Sequence, residues 1–228
     1  MDAAYLEPTL NEAYVFAGPQ YARIKVIPNK PMRHRTVGPA PITENWPSLV
    51  KVGFAEKKID AVIPVPDNPS EIWVFSGSQF ARILTDPSPN NKDKVIYGPA
   101  PIAGDWPSLV KAGFEKIDAA FPTPGEKNMA YVFSGDRYAR ITLTPGKPES
   151  AISFGPADTA EHWPDLHKVG MTRLDGVIPA PGYPKDGYFF SGDRYIRLRV
   201  TVGVAKAEVI YGPDAVKPNW PVLDFIYG

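Results

Sequence analysis

Two residue series in this chain of 228 residues combine the types and the regularity that chemistry requires. Aspartate opens four short apolar stretches, at Asp2, Asp60, Asp118 and Asp175, and alanine or glycine follows each time. Oxygen donors repeated at four equivalent points suit a hard cation such as Ca²⁺ or Na⁺. The same aspartates serve equally well to end strands by bonding nearby backbone. Arginine recurs at Arg23, Arg82, Arg140 and Arg197, each two residues after an aromatic: Tyr21, Phe80, Tyr138 and Tyr195. A guanidinium beside a ring offers four anion or ligand pockets. Alternatively, the arginine stems cover the sheet and their heads pair with carboxylates between units.

Two further series invite a reading. Trp46, Trp106, Trp163 and Trp220 each directly precede a proline at a helix start, and an aromatic face can take a sugar or fill a core. The three histidines, His34, His162 and His167, do not recur between units, so a haem iron seeking an axial imidazole finds no repeated donor. His34 lies in the basic cluster Arg33-His34-Arg35, which reads as a solvated loop. No Gly-rich phosphate loop with lysine, no Gly-x-Ser-x-Gly and no His-Glu-x-x-His occurs, so nothing points to an enzyme.

The elements that position these residues are legible from one hairpin. Phe133 to Ile141 places Ser134-Gly135-Asp136 between a β-branched and aromatic segment and an alternating one, which is turn chemistry between strands. Near copies stand at 14–24, 73–83 and 188–198, spaced 57 to 59 residues apart. Each unit reads as the Asp strand, the two hairpin strands, a variable loop and a fourth strand expected to stop at Gly-Pro (38–39, 98–99, 155–156, 212–213). A short helix entered at Trp-Pro follows, with a nearby Asn or Asp expected to cap it. The residue after each Asp is small (Ala3, Ala61, Ala119, Gly176), as crowded strands require. Four strands and a helix, repeated four times, fit a four-bladed all-β propeller; a solenoid would need polar capping repeats, and the end units look like the middle ones. The blades are placed at about 1–57, 58–115, 116–172 and 173–228 of one closed body.

Taken together, Asp-Ala, then Tyr-x-Phe-x-Gly-x-x-Tyr-x-Arg, then Gly-Pro and a Trp-Pro helix resemble the hemopexin repeat in four copies across the chain. Within that family the chain is similar to the free-standing hemopexin-type albumins of legume seeds, the albumin-2 group. The resemblance implies an axial channel in which the backbone carbonyls of Asp2, Asp60, Asp118 and Asp175 hold Ca²⁺ or Na⁺. Backbone groups at Ala4, Val62, Ala120 and Val177 would hold a second ion, such as chloride, or waters. It further implies a non-catalytic ligand-binding or storage albumin, with polyamine or haem as ligand and a monomer or homodimer as its state. A multivalent lectin with one pocket per blade is the alternative. Mammalian hemopexin domains tie the first and last blades with a disulfide. This chain contains no cysteine, so closure is expected from Asp2 to Tyr5 and from Leu223 to Tyr227 docking at the seam.

Composition adds exclusions. The 25 basic and 25 acidic side chains balance, so the overall field favours neither nucleic acid nor an acidic membrane. No apolar run approaches the ~20 residues that span a bilayer. The first residues lack the basic start and apolar core of a signal peptide, which gives a cytoplasmic location as the expectation.

Overall fold

A computed structural model describes the chain apart from residues 8, 31, 33, 89–91, 149, 203–205 and 228; Arg33 of the basic cluster and the tip of the loop at 85–93 therefore lie outside the described residues. Among the described residues sixteen strands form four antiparallel sheets of four, each in sequential order. The first blade is β1 (Ala3–Glu7), β2 (Glu12–Ala17), β3 (Gln20–Lys25) and β4 (Arg35–Pro41). The second is β5 (Ala61–Val65), β6 (Asn68–Ser76), β7 (Gln79–Leu84) and β8 (Lys94–Pro101). The third is β9 (Ala119–Pro122), β10 (Met129–Ser134), β11 (Arg137–Leu143) and β12 (Ser150–Asp158). The fourth is β13 (Gly176–Pro179), β14 (Asp186–Ser191), β15 (Arg194–Thr201) and β16 (Lys206–Ala215).

The leading strands close a ring: β1 touches β5, β5 touches β9, β9 touches β13 and β13 touches β1. Small residues make that approach possible. A Cβ added to Gly176 would lie 3.0 Å from Met1 Sδ and 3.5 Å from the Ala4 amide. Alternation along each strand sends successive side chains to opposite faces, and here both faces are covered by neighbouring blades. Ala3, Tyr5, Tyr14 and Phe16 thus join a core with Val62, Val74 and Ile83 of the second blade. Ala4, Val15, Ala22 and Ile24 join Tyr188, Phe190, Trp220 and Leu223 of the fourth. The core is four inter-blade layers, and the layer between last and first blade is built like the others. Met1, Phe225, Ile226 and Tyr227 pack against it, as the seam expectation required.

Two local expectations need correction. Pairing does not stop at Gly-Pro: after a register shift in β4, Tyr21 pairs with Ala40 and Gln20 with Pro41, beyond the cis Gly38-Pro39 bond, and the other blades repeat this. The glycine permits the fold-over, since Gly98 has φ +92° and a Cβ there would sit 2.8 Å from the Phe80 carbonyl oxygen. Nor does an Asn or Asp side chain cap the Trp-Pro helices. The tryptophan itself stands at the N-cap, ending one helical turn (Ile42–Asn45) and preceding the next (Pro47–Lys51), with no side-chain cap bond.

Each tryptophan is buried, at most 4% exposed, and meets the aromatic of its hairpin edge-on: Trp46 with Tyr21, Trp106 with Phe80, Trp163 with Tyr138 and Trp220 with Tyr195, at 5.5–5.8 Å and 80–90°. That is the favoured geometry for aromatic pairs. The core alternative for this series is what the fold uses.

Candidate functional site

The four aspartates stand just ahead of the innermost strands, and two of their polar groups turn back into their own blade. Each amide donates to a phenylalanine carbonyl of the second strand: Asp2 to Phe16 (2.9 Å), Asp60 to Phe75 (2.9 Å), Asp118 to Phe133 (2.8 Å) and Asp175 to Phe190 (2.9 Å). Each carboxylate Oδ2 accepts from the hairpin-turn glycine: Gly18 (2.6 Å), Gly77 (2.6 Å), Gly135 (2.7 Å) and Gly192 (2.7 Å). A turn amide would otherwise lack a partner, and a carboxylate is a strong acceptor for it. The third group, the carbonyl oxygen, accepts no hydrogen bond among the described residues.

Three of these four carboxylates stand beside a lysine. Lys58 Nζ lies 3.9 Å from Asp2 Oδ1 and 3.6 Å from Asp60 Oδ1, and Lys116 Nζ lies 2.9 Å from Asp118 Oδ1. The hydrogen bond to Asp118 holds the Lys116 ammonium above its ordinary range. Deeper along the axis, Ala4, Val62, Ala120 and Val177 line a narrow cavity of about 10 Å³, with Leu6, Pro64, Pro122 and Pro179 beyond them. That is close to the minimum space for one water. No group of three or more His, Asp or Glu side chains is arranged to hold a metal among the described residues.

The arginine series lies at the blade boundaries. Arg23 pairs with Glu12 at 2.8 Å and donates to the Pro87 carbonyl of the second blade at 2.8 Å. Arg82 bonds Glu71 and the Gly146 carbonyl of the third blade. Arg197 binds Asp186 at 2.7 Å, bonds Asn29 of the first blade, and stands 4.1 Å from the Tyr183 ring centre. The third blade departs from this pattern, because Met129 occupies the place of Glu12, Glu71 and Asp186. Arg140 there bonds Ser153 at 3.1 Å, and the fourth-blade loop at 203–205 is outside the described residues. Among the histidines, His162 packs against Phe154 (5.1 Å) and His167 bonds Thr159 at 3.0 Å, while His34 is exposed.

A larger cavity, about 340 Å³, opens where the fourth blade meets the loop after β3. Tyr188, Tyr195 and Trp220 form its buried wall and Tyr211, 48% exposed, its rim. Asn29, Lys30, Arg197 and Asn219 supply its polar groups. Tyr211 donates to Asp214 at 2.7 Å, which raises the tyrosine hydroxyl and lowers the carboxyl from their ordinary ranges. Of these residues the repeat pattern identifies Arg197, Tyr195 and Trp220. Asn29, Lys30 and Tyr211 escape it, because they sit in a variable loop and on an outer strand; the aromatic just before Gly-Pro was the available signal.

No protein-family model matches the chain. Albumin-2 of Pisum sativum is 27% identical over 224 residues, covering 98% of this chain and 94% of the relative. A plant lectin with two metal-binding sites from Cicer arietinum superposes with a TM-score of 0.86 at 28% identity, covering 99% of this chain and 97% of that one. A hemopexin-fold protein from cow pea gives 0.86 at 28% identity, with 100% and 98% covered. A Cicer arietinum albumin showing hemagglutination gives 0.83 at 28%, with 99% and 97% covered.

Proposed function

The chain belongs to the hemopexin-like propellers of the seed-albumin type, and from that premise we propose that it is a non-catalytic binding or storage albumin that holds a hard cation on its axis. The carbonyls of Asp2, Asp60, Asp118 and Asp175 are the ligands, and the waist at Ala4, Val62, Ala120 and Val177 takes a second ion or water. The observation that carries this reading is the fourfold group of carbonyl oxygens that accept no hydrogen bond among the described residues, each left over after its aspartate has spent its amide and carboxylate on its own hairpin. Two metal-binding sites in the similar Cicer lectin support it. Neutral oxygens at the entrance suit Ca²⁺ or Na⁺, with water completing the shell. The ion is structural, tying four blades at the point where they converge.

Calorimetry tests this directly. Protein stripped with chelator should melt lower than the same protein with excess CaCl₂ or NaCl, because a ligand bound only by the folded state stabilises it by about 2.7 kcal/mol at a hundredfold excess over Kd. An unchanged melting temperature with every cation would overturn the axial ion.

A second reading rests on the outer strands. Tyr97, Phe154 and Tyr211 are 42%, 39% and 48% exposed at matching positions in three blades, and Val37 replaces them in the first. Three exposed rings on one body offer the multivalency of a lectin, and the hemagglutinating Cicer albumin favours it. A glycan array decides: a bound sugar displaced by Tyr97→Ala supports this reading, and silence across the array removes it.

A further inference from the structure

We propose that the cavity at the seam between the fourth and first blades binds a small aromatic carboxylate: one ring bearing one acid group. Four aromatic side chains, Tyr188, Tyr195, Tyr211 and Trp220, contribute to its lining, and Tyr195 and Tyr211 lie 6.0 Å apart at 35°, so a planar ring can continue an existing stack. The lining contains two cations, Arg197 and Lys30, and no Asp or Glu.

The surrounding charges strengthen this asymmetry. Asp186, behind Arg197, is shared between Arg197 (2.7 Å) and Arg199 (2.9 Å), so one carboxylate serves two guanidiniums. Asp214, beneath the rim, is engaged by the Tyr211 hydroxyl, the Ala215 amide and Asn219. Lys30 is exposed and makes no ion pair among the described residues. Arg197 is held by Asp186 and Asn29, so Lys30 is the cation left over for an anion entering the cavity, and a polyamine meets its repulsion. Asn219, whose side-chain nitrogen donates to Asp214 and to the Ala215 carbonyl, adds a fixed polar edge of the kind small-molecule sites use. At about 340 Å³ the cavity is at the lower end of such sites, with room for one ring and a short substituent.

This site is separate from the axis and does not depend on an ion there. It is tested by titration calorimetry of the ion-loaded protein with 4-hydroxybenzoate, with neutral 4-hydroxybenzyl alcohol and spermine as comparisons. The acid should bind, the alcohol should bind at least fivefold more weakly, and spermine should not displace the acid. Lys30→Glu and Tyr211→Ala alter exposed side chains, so both proteins should keep the wild-type melting temperature to within a few degrees. Each should weaken 4-hydroxybenzoate at least threefold. The proposal is overturned by absence of binding, by equal affinity for acid and alcohol, by displacement with spermine, or by unchanged affinity in both variants. None of these outcomes bears on the chelation experiment, so the two readings fail separately.

Discussion

Asp186→Ala is the substitution from which the seam gives the largest expected loss. Asp186 and Arg197 are 6% and 4% exposed, joined at 2.7 Å and 3.0 Å, and Arg199 Nε approaches the other carboxylate oxygen at 2.9 Å. Removing the carboxylate leaves the Arg197 guanidinium buried with only a neutral amide oxygen, from Asn29, and the Tyr183 ring to receive it. Breaking a buried pair in this way costs about 3–5 kcal/mol. For a chain of this size about 1 kcal/mol shifts the melting temperature by roughly 2–4 °C, so a drop of about 6–20 °C is expected. Arg199→Ala is the internal control. That side chain is 44% exposed, and losing its share of the pair should lower the melting temperature far less because solvent screens it. Differential scanning calorimetry and urea titration of both variants measure the contrast. If Asp186→Ala were no more damaging than Arg199→Ala, the buried carboxylate would not be what holds Arg197 in place against Asn29 of the first blade, and the account of the arginine series as an inter-blade fastening would be wrong.

Two further outcomes follow from the same contacts. Met129→Glu places a carboxylate where Glu12, Glu71 and Asp186 meet their arginines, so it should gain an ion pair with half-exposed Arg140 worth about 0.2–1 kcal/mol. The gain should read as a slightly higher urea midpoint at low salt that fades at high salt. Asp93 is buried, accepts the Ser48 amide at 2.9 Å through Oδ2, and leaves Oδ1 without a partner; burial pushes its carboxyl above the ordinary range. With the folded value raised, stability from this group is fully present below its unfolded value of about 3.9 and is lost as pH rises through the folded value. Thermal melts of Asp93→Asn should therefore gain on wild type between pH 4 and pH 7, and the opposite slope would show that the Ser48 bonds outweigh the burial.

What the sequence made legible was whatever acts within one unit. The hairpin turn, the small residue beside each Asp, the Trp-aromatic packing and the count of blades all follow from residues a few positions apart, and each appears four times, so a chance pattern is easily told from a rule. Contacts between blades were harder. Arg23 to Pro87 and Arg82 to Gly146 each span 64 residues and end on backbone carbonyls, which any residue type supplies. No side-chain pattern marks such an acceptor. The Gly-Pro expectation failed for a related reason: proline cannot donate within a ladder, but on an outer strand that direction is free, and the glycine before it lets the chain fold over and resume pairing two residues later. The seam cavity was half visible, through Arg197 and Trp220, and half hidden in a loop that no other blade copies.

Fourfold repetition also constrains where binding chemistry can sit. A residue present in every blade has to satisfy the same packing four times, and Arg23, Arg82 and Arg197 show the result, since each spends its guanidinium on its own blade and the next. Such residues leave little surplus for a ligand except on the axis, where four equivalent groups converge on one point and the surplus of each is summed. On the proposed reading the aspartate carbonyls meet that condition. A site off the axis must instead arise where equivalence fails. Blade one has Val37 where three blades expose an aromatic, its loop carries Asn29 and Lys30, and the last blade answers with Tyr211 beside Trp220. One propeller can therefore hold an ion by its symmetry and a small acid by its departure from symmetry, using residues that do not overlap.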